Sequence, residues 1–98
     1  MMILLLLLLR KKVEKKGTKY DFRSMKRAKD DLEFYDLYCN LMKEVYNFSP
    51  KVHLEDRLVK SGASSAIVQL NRDIEEKIYN LEPLDRKEII KILKKEIK

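Results

Sequence analysis

A chain of 98 residues is one domain's worth and buries a modest core, so its stability rests on a narrow margin. Its 45% apolar content is ordinary, its 39% charged content is high, and only two Gly and two Pro are present, which together describe an all-helical protein. The lone cysteine, Cys39, excludes an internal disulfide and points to a reducing compartment, and no Cys/His cluster offers four zinc ligands. The net charge of +6 is unevenly placed. Residues 1–29 hold ten Lys/Arg against Glu14 and Asp21, a balance of +8, while residues 30–98 hold twelve Lys/Arg against fourteen Asp/Glu, a balance of −2. Such asymmetry directs one end of a chain to a membrane surface or a nucleic acid.

The chain opens with MMILLLLLL, nine apolar residues. As a helix this run rises about 1.5 Å per residue, roughly 13 Å in all, against a hydrocarbon core of about 30 Å, so it cannot span alone. No positive residue precedes it and no small-residue cleavage site follows, so it matches a secretory signal poorly. It reads as the end of a membrane helix that begins upstream, or as a segment packed on a partner protein. The remaining reading is a buried N-terminal helix of a soluble domain; it is the weaker one, because a surface helix in a domain this small should show a polar face and six consecutive leucines show none. The expected membrane or partner contacts are Ile3, Leu4, Leu5, Leu6, Leu7, Leu8 and Leu9. Arg10, Lys11, Lys12, Lys15 and Lys16 follow as a basic flank that places the rest of the chain in the cytoplasm.

Gly17 and Thr18 end this segment, and residues 17–23 are read as a connector, with Tyr20 and Phe22 either at headgroup level or packed on the body. From about Ser24 to Asn47 the spacing predicts one long helix. Met25, Ala28, Leu32, Tyr35, Cys39, Met42 and Tyr46 form one apolar stripe, and Phe34, Tyr38, Leu41, Val45 and Phe48 a second beside it. A face that wide predicts a central helix, with Cys39 as a small buried hydrophobe.

Ser49-Pro50 predicts the start of a short helix running to about Lys60, with Leu54, Leu58 and Val59 inward and Gly62 as its left-handed stop. His53, the single histidine, is read as a surface residue beside Glu55 and Asp56. Ser64 or Ser65 caps a further helix to about Asn80, with Ala63, Ala66 or Ile67, Leu70, Ile74 and Ile78 inward and Asp73, Glu75 and Glu76 outward. A turn through Pro83 follows. Asp85 stands three before Glu88, the capping-box spacing, and opens a last helix to Ile97 that turns Ile89, Ile90, Leu93 and Ile97 inward. Lys91, Lys94, Lys95 and Lys98 suit its C-terminal half. The expected fold is all-α: a bundle of about four helices over residues 24–98, preceded by an apolar and basic helical segment over 1–16.

Little in this pattern carries reaction chemistry. His53 and Cys39 fall on different predicted helices, and Gly17 and Gly62 make no phosphate-cradling loop. Adjacent carboxylates such as Asp30-Asp31, Glu55-Asp56 and Glu75-Glu76 point about 100° apart on a helix and do not converge. No enzyme activity, no cofactor and no small-molecule substrate are expected. The competing reading is nucleic-acid binding through Lys19, Arg23, Lys26, Arg27 and Lys29, which open the central helix. A membrane flank explains the charge and the leucines together, whereas nucleic acid explains the charge alone. A third reading is a small subunit of a larger complex, its leucines buried in a partner.

The order of features resembles the cytoplasmic C-terminal domain of the transglutaminase-like integral membrane proteins. Tyr35–Val45 (YDLYCNLMKEV) resembles that domain's first helix, and Ser49-Pro50 followed by Leu54 and Leu58 resembles its serine/threonine-proline helix start. Asp73–Arg86 (DIEEKIYNLEPLDR) resembles its closing stretch, where a helix ends in a tyrosine before the last helix begins; Asn80 here takes the place of a common glycine. The resemblance covers about Tyr35 to Ile97 and implies an accessory cytoplasmic unit, separate from the papain-like catalytic domain of such proteins. It carries over no functional residues.

Overall fold

The computed structural model describes residues 22–48 and 53–97. All their regular secondary structure is helical: a turn and a half at 22–26, then α1 (Asp31–Tyr46), α2 (Leu54–Lys60), α3 (Ser65–Tyr79) and α4 (Arg86–Glu96). The all-α expectation holds. The apolar run, its basic flank, Lys19, Tyr20 and the Ser49-Pro50 start lie outside the described residues.

The single helix expected from Ser24 to Asn47 is two pieces. Residues 22–26 are helical, the chain leaves the helix over 27–30, and α1 starts at Asp31. Asp30 causes the break. Its backbone is extended, its carboxylate accepts from the Glu33 N–H at 2.8 Å, and Glu33 reaches back to accept from the Lys29 N–H at 2.7 Å. Two orphan donors are thus met by a reciprocal cap. Phe22 and Arg23, expected in the connector, are already helical, and Phe22 is in the core.

Within α1, Phe34, Tyr38, Leu41 and Met42 are the buried centre. Leu32, expected inward, is 70% exposed. At 100° per residue it stands about 130° from that centre, beyond the reach of the core. Cys39 is buried as expected. In α2, Leu54 and Leu58 are buried one turn apart. Val59, expected inward, is 58% exposed because it follows Leu58 by a further 100° and the helix has only seven residues. His53 is exposed and precedes α2 with a left-handed backbone instead of lying within it.

Gly62 stops α2 as expected. With φ at +77° it lets its own N–H reach the Val59 carbonyl and the Ala63 N–H reach that of Leu58, a paired C-terminal cap. Ser64 then caps α3 through the Ile67 N–H. The hub of the fold is α3, which packs on each of the other three helices, and not the aromatic-rich α1. Ile67, Leu70 and Ile74 fill its inner face, together with the fully buried Asn71. Asp85 caps α4 through the Glu88 N–H, and Ile89, Ile90, Leu93 and Ile97 are buried as expected.

Candidate anion-binding face

The single histidine and the single cysteine stand apart in the structure. His53 is on the surface while Cys39 is 2% exposed in the core, and no group of three His, Cys, Asp or Glu side chains is set to hold a metal ion among the described residues. Two clefts flank α4 instead, and they carry opposite charge.

The basic cleft, about 540 Å³, lies between residues 22–26 and α4. Lys26 comes from the first, and Arg86, Lys87, Lys91 and Lys94 from the second, with Ile90 as the apolar floor. Positions 87, 91 and 94 share one helix face, and burial of Ile89, Ile90 and Leu93 turns that face outward. Phe22 and Met25 anchor the other wall in the core, so backbone packing sets where Lys26 stands. It stands beside Lys94. Lys26, of like charge and lining the same cleft, holds Lys94 below the ordinary lysine value.

Arg86 has a different task at this site. Its Nε and Nη2 both lie 2.9 Å from Asp31 Oδ1, its Nη1 donates to the Ala28 carbonyl, and its guanidinium carbon is 5.9 Å from the Phe34 ring centroid. Asp31 Oδ2 in turn accepts from the Leu84 N–H at 3.2 Å. This knot ties the loop before α1 to the start of α4 and thereby holds the two walls together. Arg86 is neutralised; the ion pairs found among the described residues, Arg86–Asp31 and Arg72–Glu55, include none of the cleft lysines.

The other cleft, about 340 Å³, opens between α3 and α4. Leu70, Ile74, Ile89 and Ile92 form its floor, and Asp73, Glu76, Glu82, Asp85 and Glu88 its rim, with Lys77 as the one base. On α4, positions 88 and 92 lie about 120° round the helix from 87, 91 and 94. The near-neutral body is therefore polarised across its last helix.

Of the residues expected to touch nucleic acid, Arg23, Lys26, Arg27 and Lys29 are all exposed, but Lys26 alone lines the cleft. The sequence reading missed Lys87 as a partner and read Lys91 and Lys94 only as complements to the helix dipole. Their i, i+4, i+7 spacing was the available signal. Among the described residues no helix is long and apolar enough to cross a membrane. No protein-family model matches the chain, and no curated protein or solved structure does so either.

Proposed function

We propose that this chain is a non-catalytic accessory domain held at a membrane surface, with its apolar N-terminal run in lipid or on a membrane-protein partner and its helical body in the cytoplasm. The observation that carries this reading is the meeting of Lys26 with Lys87, Lys91 and Lys94. Cations from distant parts of the sequence share one face, and one wall of that face, residues 22–26, comes soon after the basic flank Arg10–Lys16 in the chain. An anionic leaflet attracts each such cation by about 1 kcal/mol, so four add a second attachment to that of the apolar run. The resemblance to the C-terminal domain of transglutaminase-like integral membrane proteins belongs to the same proposal, supported by the order of apolar run, basic flank and helical body.

Co-sedimentation of the full chain with vesicles tests this. Capture is expected on vesicles containing phosphatidylserine and should weaken as salt screens the lysines. A full chain that stays in the supernatant with anionic vesicles at low salt overturns the reading.

The nucleic-acid alternative has one specific support, since Lys26 was its candidate and three lysines now join it. Its test is the triple variant Lys26→Glu, Arg27→Glu, Lys29→Glu, which should abolish DNA and RNA binding; unchanged binding removes the alternative.

A further inference from the structure

We propose that the cleft between residues 22–26 and α4 binds a phosphomonoester dianion, with its phosphoryl oxygens bridging the ammonium groups of Lys26 and Lys94 and with Lys87 and Lys91 at its rim. The proposal rests on the membrane reading only for the source of the ligand, a lipid headgroup in preference to a soluble phosphate of the same chemistry.

Two like charges face each other here across different elements, and both are placed by the core behind them. Met25, next to Lys26 in the chain, and Ile90, one turn before Lys94, are buried and fix both walls to the core. The repulsion is visible in the lowered pKa of Lys94. No described carboxylate forms an ion pair with either lysine. An anion between them converts the repulsion into two charge-assisted hydrogen bonds. A phosphomonoester carries close to two negative charges at neutral pH and matches the two ammonium groups, whereas a phosphodiester carries one. The cleft, at about 540 Å³, falls in the range of small-ligand sites and so holds more than a bare ion. Ile90 offers apolar surface to the carbon skeleton of a headgroup. Lysine, a compact point charge free to rotate, suits a tetrahedral anion approached from several directions.

The experiment uses the full chain, with Lys26→Gln and Lys94→Gln as test variants and Lys95→Gln, on the same helix but outside the cleft, as control. Binding is measured to inorganic phosphate and to soluble inositol bisphosphate at matched ionic strength, and to vesicles of phosphatidic acid or phosphatidylserine at matched surface charge. The expected result is binding of both soluble phosphates, tighter binding to phosphatidic acid than to phosphatidylserine, and a loss of about tenfold in Lys26→Gln and Lys94→Gln, with Lys95→Gln unchanged. Circular dichroism confirms that each variant is folded. If the soluble ligands show this pattern and no vesicle is bound, the site stands and the membrane reading fails. If both vesicle types bind equally and Lys94→Gln behaves as Lys95→Gln, the site is overturned while the membrane reading stands. If duplex DNA displaces the phosphomonoester ligands and binds more tightly through the same two lysines, the assignment to a monoester is overturned in favour of nucleic acid.

Discussion

The Tyr38 hydroxyl on α1 donates to Asn71 Oδ1 on α3 at 3.2 Å, and both side chains are fully buried. This is the polar contact at the centre of an otherwise apolar core, and it ties α1 to the hub helix. It is also incomplete, because Asn71 Nδ2 finds no acceptor among the described residues. Loss of one partner strands the other, whereas loss of both removes the desolvation cost along with the bond. Tyr38→Phe is therefore expected to cost about 1–2 kcal/mol and Asn71→Leu a similar amount. The double variant should recover most of the sum in a denaturant double-mutant cycle. Simple additivity of the two losses would show that the pair is not coupled.

Burial makes the same tyrosine a reporter of alkaline unfolding. Desolvation pushes the Tyr38 phenol, and the Tyr35 phenol stacked on it with ring centroids 6.4 Å apart, far above the ordinary value near 10. The raised value means that the folded state keeps protons the unfolded chain gives up. Stability is then fully present below pH ~10 and falls above it, by up to about 1.4 kcal/mol per pH unit for Tyr38. Tyr38→Phe should flatten this fall. Urea midpoints measured between pH 9 and about 11.5 check it; a wild-type stability that rises over that interval contradicts it.

The Tyr38–Asn71 pair also shows where sequence reasoning stopped. The apolar periodicity of α3 and α4 identified Leu70, Ile74, Ile89, Ile90 and Leu93 as buried, and Gly62, Ser64 and Asp85 stand where helix-end chemistry requires them. Asn71 was invisible because a polar residue on a helix is ordinarily solvated, and its burial depends on a partner 33 positions away. The break at Asp30 was legible in principle, since Asp30 and Glu33 have the same spacing as Asp85 and Glu88. Met25, Ala28 and Leu32 happened to continue the helical period across it and concealed it. The lysine face of α4 had a spacing to read, but its pairing with Lys26 in one cleft did not. The cleft forms where Phe22 and Met25 pack into the core while Arg86 reaches back to Asp31 and Ala28, which brings two distant stretches side by side.

That role of Arg86 is open to a direct test. Lysine retains the charge but not the fork that serves Asp31 through Nε and Nη2 and Ala28 through Nη1 at the same time. Arg86→Lys is expected to lower stability by about 1–3 kcal/mol, the range for hydrogen bonds to charged groups. It should also reduce anion binding, although the positive charge remains, because the 22–26 wall is no longer tied to α4. Equal stability and equal anion affinity in Arg86→Lys would mean that charge alone, and not the fork, holds the cleft.

Leu81 offers a gain in place of a loss. It follows the α3 C-cap Asn80 with φ at +58°, a left-handed backbone, and it is 92% exposed. Its N–H reaches the Ile78 carbonyl and the Glu82 N–H reaches that of Lys77, the same paired cap that Gly62 provides for α2. A Cβ in this conformation costs about 1–2 kcal/mol, and an exposed leucine recovers almost nothing by burial. Glycine removes the strain but gives the unfolded chain more freedom, which returns part of the gain. Leu81→Gly is expected to raise stability by up to about 1 kcal/mol, visible as a higher urea midpoint with an unchanged slope. Gly62→Ala, where a Cβ meets no neighbour within 4 Å but the same backbone is required, should lower it by a comparable amount. Opposite signs from the two variants follow from backbone strain alone. If Leu81→Gly destabilises the protein, Leu81 contributes contacts worth more than its strain.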